Sequence, residues 1–295
     1  MRTIVIFNPQ AGKERGDAIA SKVERILTGR GRQVELHPTE GPNDAKIIAQ
    51  RFALEADVVV AVGGDGTINE VANGLARAGD AAGRATLGIV PAGTVNVLAL
   101  ELGIPFDTEG ACGVIADGHT IFLDLGKVND RRFTLMMGAG IDALTVRNID
   151  LRVKRRFKEL AFVGSGLKAG FVTRPPVFLV RANGEDYRTT FFVAGNTRNY
   201  AGRFGITPAA DPTDGILDLM LFTGTTRSSL AVFWMGVPSG LHIRNPHAIW
   251  LRATRVELTP LEGEETVWFQ TDGELAGSLP ATVTIDPHGL EVLVR

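Results

Sequence analysis

Residues 57–78 constrain the fold more than any other stretch. An apolar run from Asp57 to Val62 passes straight into Gly63-Gly64-Asp65-Gly66, and helical spacing begins near Thr67. A short continuous apolar run bounded by glycines reads as a strand covered on both faces, as in a parallel sheet. The same succession recurs from residue 1 to about 123. Apolar strands (Ile4 to Phe7, Val34 to Leu36, Asp57 to Val62, Leu87 to Val90) alternate with helical stretches at about 16–29, 42–54, 67–78 and 96–102. That alternation predicts a mostly parallel sheet with helices on its faces.

Three of these strands run into turns of small or polar residues: Asn8-Pro9-Gln10-Ala11-Gly12-Lys13, Gly63-Gly64-Asp65-Gly66-Thr67 and Val90-Pro91-Ala92-Gly93-Thr94-Val95-Asn96. Glycine lets backbone amides approach an anion, a helix start adds the positive end of its dipole, and Asp65 can hold a metal ion or its water. Ligands of open α/β sheets sit at the carboxyl ends of strands, so three such turns can wall one nucleotide cleft. Taken singly, each is weak evidence, and the alternative is a tight strand-to-helix turn without a ligand.

From about residue 121 the rhythm changes. Ile121 to Val128, Phe133 to Met137, Val177 to Arg181, Thr189 to Val193, Leu217 to Phe222, Val256 to Thr259, Val267 to Gln270 and Val283 to Ile285 read as strands of an antiparallel sandwich or barrel-like domain. The boundaries read from this change are 1–123 and 124–287. Two helical patterns interrupt the β-rich half. The stretch from Leu151 to Phe171 carries Arg152, Lys154, Arg155, Arg156, Lys158 and Lys168, with Arg174 just beyond, against Glu159 alone. Val153, Phe157, Leu160, Val163 and Leu167 form its apolar stripe. It suits an anionic membrane surface or, as well, a solvated charged face over a core stripe. The second, Ser228 to Val237, reads as core.

Gly-Gly-Asp-Gly-Thr after a strand resembles the nucleotide loop of diacylglycerol-kinase-like lipid kinases, NAD kinases and phosphofructokinases. The Asn8 to Gly12 opening is similar to the Asn-Pro-x-x-Gly loop of the lipid kinases. With Thr271-Asp272-Gly273-Glu274 far downstream, the order resembles the diacylglycerol-kinase-like family over nearly the whole chain. The resemblance implies a phosphofructokinase/NAD-kinase-like α/β domain, to which a last strand at about 288–295 returns, and a β-rich sandwich-like C-terminal domain. It also implies transfer of the γ-phosphoryl of ATP, with Mg²⁺, to a lipid hydroxyl such as that of diacylglycerol.

By the same resemblance, Asn8, Gly12, Gly63, Gly64, Gly66, Thr67, Gly93, Thr94 and Asn96 stand at nucleotide-loop positions. Asp65 belongs to the catalytic metal network, joined by Asp142 in Gly138-Ala139-Gly140-Ile141-Asp142-Ala143. Asp272 is the first choice for general base, and Glu274 for a nucleotide ligand. Asp211, Asp214 and the Leu217 carbonyl match a structural Mg²⁺ site of bacterial relatives. Asp272-Gly273 is also an ordinary hairpin turn, and Asp211 to Asp218 an ordinary β-turn. In one departure, Val97 replaces the carboxylate that many relatives carry in Gly-Thr-x-Asn-Asp. Two rivals stay open: an NAD kinase, which the Asn-Pro opening and the Asp-Gly-Glu segment fit poorly, and a nucleotide- or lipid-binding regulator without catalysis.

Composition sets outer limits. The 295 residues suffice for two cores, and a net charge of −2 offers no bulk attraction to nucleic acid. Cys112 is the only cysteine, which excludes an internal disulfide and suits a reducing cytosol. The five histidines show no metal-ligand spacing. No segment approaches the roughly 20 apolar residues of a membrane span. Together with the family resemblance, which implies a lipid substrate and peripheral membrane contact, the expectation is a cytoplasmic protein with no nucleic-acid partner; a homodimer stays open.

Overall fold

The computed structural model describes residues 1–10, 15–77, 85–148, 175–202, 204–263 and 266–295. The chain divides into two compact units, Met1–Asp124 with Pro287–Arg295, and Leu125–Asp286.

In the first unit four strands, β1 (Arg2–Phe7), β2 (Gln33–Pro38), β3 (Val58–Gly63) and β4 (Thr86–Pro91), are hydrogen-bonded in the order β2-β1-β3-β4. All pairs are parallel. Every residue of β3 is buried, which is what helices on both faces of a parallel sheet require. Helices α1 (Gly16–Gly29) and α5 (Thr108–Asp117) pack together, as do α2 (Asp44–Phe52) and α3 (Asp65–Arg77). In α1 the buried residues Ile19, Ala20, Val23 and Leu27 recur at helical spacing and face the sheet. The end of the chain adds to the same sheet, with Val292 parallel to Leu87.

The second unit is an antiparallel sandwich. One sheet runs β14-β13-β10-β7-β16-β17, formed by β7 (Met136–Gly140), β10 (Phe191–Gly195), β13 (Leu217–Phe222), β14 (Ala248–Ala253), β16 (Trp268–Thr271) and β17 (Glu274–Ser278). Facing it are β8 (Phe178–Ala182), β9 (Glu185–Thr189), β15 (Arg255–Pro260) and the start of β18 (Ala281–Leu293). Phe178, Val180, Val256 and Leu258 from one face meet Phe192, Leu219, Leu221 and Phe269 from the other in a single buried cluster.

The structure corrects several expected boundaries. The strand expected over Phe133 to Met137 is split, because β6 (Arg131–Phe133) ends before Thr134 and β7 begins at Met136. The strand expected over Thr189 to Val193 is also split. Thr189 closes β9 in one sheet and Phe191 opens β10 in the other. Strands β9, β14 and β17 were not among the expected strands. Each is a sheet edge with one side in solvent.

Candidate active site

Backbone hydrogen bonds tie the three expected nucleotide loops of the first unit into a row. Asn8 N donates to the Val62 carbonyl at 3.4 Å, and Ala92 N and Gly93 N both donate to the Gly63 carbonyl, at 2.8 and 3.1 Å. The loops that follow β1, β3 and β4 are thus side by side at the carboxyl edge of the sheet. A Cβ on Gly93 would collide with Gly64 Cα, so only glycine lets these two turns approach so closely. Asn96 is buried in the left-handed region at φ 55° and accepts from Gly93 N through Oδ1 at 3.2 Å. Thr67 folds back beside Gly63, where any Cβ would meet its side chain.

Helix α3 begins at Asp65, two residues earlier than expected, with Asp65 in its first turn. Its opening amides and the positive end of its dipole point out of the Gly64 to Thr67 turn, the arrangement that binds phosphate. Asp65 is half-buried, Gly66 and Thr94 are exposed, and Asn8 is half-buried. Val97, at the start of α4 (Val97–Glu101), is buried in the apolar core of the unit and offers no oxygen to the loops. Gly12 lies outside the described residues, as does the basic stretch 151–174.

In the second unit, Asp272 and Gly273 form the two-residue turn between β16 and β17, both with positive φ (49° and 82°), a type I′ hairpin. The Asp272 carboxylate reaches the break between β6 and β7. Its Oδ2 accepts from Thr134 N at 2.8 Å and Thr134 Oγ1 at 3.0 Å, and its Oδ1 from Leu135 N at 3.0 Å and Met136 N at 2.9 Å. These four donors explain why the expected strand is split there: the amides of 134–136 turn to the carboxylate. Burial pushes the Asp272 carboxyl above its ordinary value against the pull of these donors. Both oxygens serve as acceptors, which leaves little room for a substrate proton. Glu274, just past the turn, is exposed and pairs with Arg131 at 2.7 Å.

Asp142, in the first turn of α6 (Ile141–Asn148), is fully buried. Its carboxylate accepts from the Tyr200 hydroxyl and, at 2.8 Å, from Gln270 Nε2. Gly138 leaves the space its carboxylate occupies. Burial pushes this carboxyl up to about 7. Asp142 thus stands as a buried hydrogen-bond anchor between α6, Tyr200 and Gln270. Gln270 was missed by sequence reasoning; a polar residue in an apolar strand was the available signal.

At the expected second metal site, Asp211 Oδ1 accepts from Thr213 N and Oγ1, while Asp214 accepts from Ile216 N and pairs with Arg252. These carboxylates are engaged within the protein. Leu217 opens β13 opposite Ala253. Among the described residues no group of three or more His, Cys, Asp or Glu side chains is placed to hold a metal ion.

Residues 2–128 match the diacylglycerol kinase catalytic domain, and residues 136–294 match the YegS C-terminal NAD kinase beta sandwich-like domain. The diacylglycerol kinase of Staphylococcus epidermidis is 30% identical over 97% of this chain and 90% of its own length. That of Bacillus subtilis is 30% identical over 95% and 91%. The chain belongs to the diacylglycerol-kinase-like lipid kinase family. As a member it is a lipid kinase with the α/β plus β-sandwich architecture the motifs imply. A crystal structure of a diacylglycerol kinase from Bacillus anthracis str. Sterne shares the fold, with a TM-score of 0.80 at 22% identity over 100% of this chain and 96% of that one. No helix among the described residues is long and apolar enough to cross a membrane.

Proposed function

We propose that this kinase transfers the γ-phosphoryl group of ATP to the hydroxyl of diacylglycerol. The observation that carries the reading is the hydrogen-bonded row of loops at Asn8, Gly63-Gly64 and Gly93, which opens onto the amides of α3. These loops would cradle the phosphates, and Asn96, by holding Gly93 N, keeps their spacing.

Asp65 fits Mg²⁺ by its chemistry, a half-buried hard oxygen donor at the mouth of the phosphate turn. Bound there, the ion would neutralise phosphate charge. The lipid hydroxyl attacks the γ-phosphorus, its O–H bond breaks as the new O–P bond forms, and ADP leaves. We assign acceptance of that proton to Glu274 rather than Asp272, because Glu274, though one oxygen pairs with Arg131, stays exposed with its other oxygen unspent in that pair, while Asp272 spends both oxygens on residues 134–136. Asp272 then holds the turn that aims Glu274. The basic stretch 151–174 is proposed as one contact with an anionic membrane, the place where an acylglycerol acceptor resides.

The test is the full chain with labelled ATP, Mg²⁺ and diacylglycerol in mixed micelles, with NAD as the competing acceptor. Labelled phosphatidic acid without labelled dinucleotide is the expected result. Labelled dinucleotide instead would make it an NAD kinase, and ATP binding without turnover on a lipid panel would make it a regulator.

A further inference from the structure

Helix α7 (Arg227–Gly236) turns Leu230, Phe233 and Trp234 into the core of the second unit and leaves Ser228, Val232 and Met235 on its outer stripe, at i, i+4 and i+7. The 3₁₀ turn Leu241–Arg244 packs against α7 and β14. Its buried His242 is hydrogen-bonded to the Ile206 carbonyl at 3.1 Å, and that anchor leaves Leu241 and Ile243 facing out. Among the described residues, eleven large hydrophobic side chains are exposed, and five of them (Val232, Met235, Leu241, Ile243 and Trp250) lie on these three adjoining elements. Each is 46 to 62% exposed. Apolar exposure gathered in this way marks a contact surface rather than chance.

Charge identifies what it contacts. From Thr223 to Ala253 there is no aspartate or glutamate, while Arg227, Arg244 and Arg252 are present. Arg252 is taken by Asp214 and Asp218; Arg227 and Arg244 are exposed and carry no ion pair among the described residues. A symmetric contact with a second copy would set like charges against like charges with no acid of the segment to relieve them. An anionic lipid surface offers phosphates to the arginines and an apolar layer to the side chains beside them.

We propose that the outer face of α7 and the turn Leu241–Arg244 dock on an anionic bilayer, with Val232, Met235, Leu241 and Ile243 seated at headgroup depth and Arg227 and Arg244 on lipid phosphates. The proposal rests on the lipid-kinase reading, and it adds a membrane contact made by residues other than those of the basic stretch 151–174.

The test is co-sedimentation of the full chain with phosphatidylglycerol/phosphatidylcholine vesicles and with phosphatidylcholine vesicles alone. Leu241→Ser with Ile243→Ser should lower partition to anionic vesicles at least tenfold at every salt concentration. Arg227→Gln with Arg244→Gln should lower it about fivefold per arginine and reduce its salt dependence. Phosphorylation of detergent-dispersed lipid should be unchanged in both. Melting curves check the fold, and if the serine pair misfolds the exposed arginine pair decides. Wild-type protein that does not sediment, or folded variants that sediment as well as wild type, would overturn the proposal. So would light scattering that shows a wild-type dimer split by these changes without altered vesicle binding, since the face would then belong to a second copy. Vesicle binding lost as expected, in a protein that phosphorylates no lipid, would leave the docking face standing and remove the function proposed above.

Discussion

Gln270 Nε2 donates to Asp142 Oδ2 at 2.8 Å, while Gln270 Oε1 accepts from Gly273 N at 2.7 Å. One side chain therefore joins a fully buried carboxyl to the turn that carries Asp272 and Glu274.

The first prediction follows from that burial. In the folded protein Asp142 titrates at about 7, whereas in the unfolded chain it titrates near the ordinary aspartate value of about 3.9. The folded state holds the proton longer, so the stability owed to neutral Asp142 is fully present below about pH 4 and is lost as pH rises through about 7. Asp142→Asn cannot ionise and lacks this slope. The unfolding free energy of wild type minus that of the variant, from urea denaturation, should fall by on the order of 2 kcal/mol between about pH 5 and pH 8. A difference that does not vary with pH would remove the buried-acid assignment.

Asp272 and Glu274 should separate structure from chemistry. Asparagine at 272 keeps one acceptor oxygen but turns an amino group towards two of the four donors. Each buried donor left unpaired costs about 1–3 kcal/mol, so Asp272→Asn should melt several degrees lower as well as lose kcat. Glu274→Gln should keep its melting temperature and lose kcat by roughly 10²–10⁴-fold. Near-full kcat in Glu274→Gln would assign the proton to another group.

Gly93→Ala tests the phosphate loops. Its methyl group would collide with Gly64 Cα and push the two turns apart. Since α3 and β4 keep their own packing, the fold should survive while ATP affinity by calorimetry falls at least about tenfold. Unchanged affinity would place the nucleotide elsewhere.

Mg²⁺ dependence distinguishes the two expected metal positions. Asp65→Asn should raise the Mg²⁺ concentration needed for half-maximal activity, because a hard anionic donor is lost. Asp214→Asn should leave it unmoved, since that carboxylate already pairs with Arg252. A titration showing the reverse order would exchange their roles.

Much of this protein is written locally. Val58 to Val62, the glycine turn behind them and the helix that follows carry their pattern within one short stretch, so spacing and residue type alone identify a parallel α/β unit and its phosphate loops. The apolar strands of the sandwich core were visible for the same reason. Edge strands β9, β14 and β17 were not, because their place in the sandwich comes from pairing with β8, β13 and β16, strands already fixed elsewhere in the fold. The placement of the acids belongs to the tertiary structure. Asp142 meets Gln270 from 128 residues away, and Asp272 draws its donors from Thr134, 138 residues away. Whether a carboxylate is a base, a metal ligand or an acceptor for amides depends on the lone pairs its distant neighbours leave unused, and only folding decides which neighbours those are.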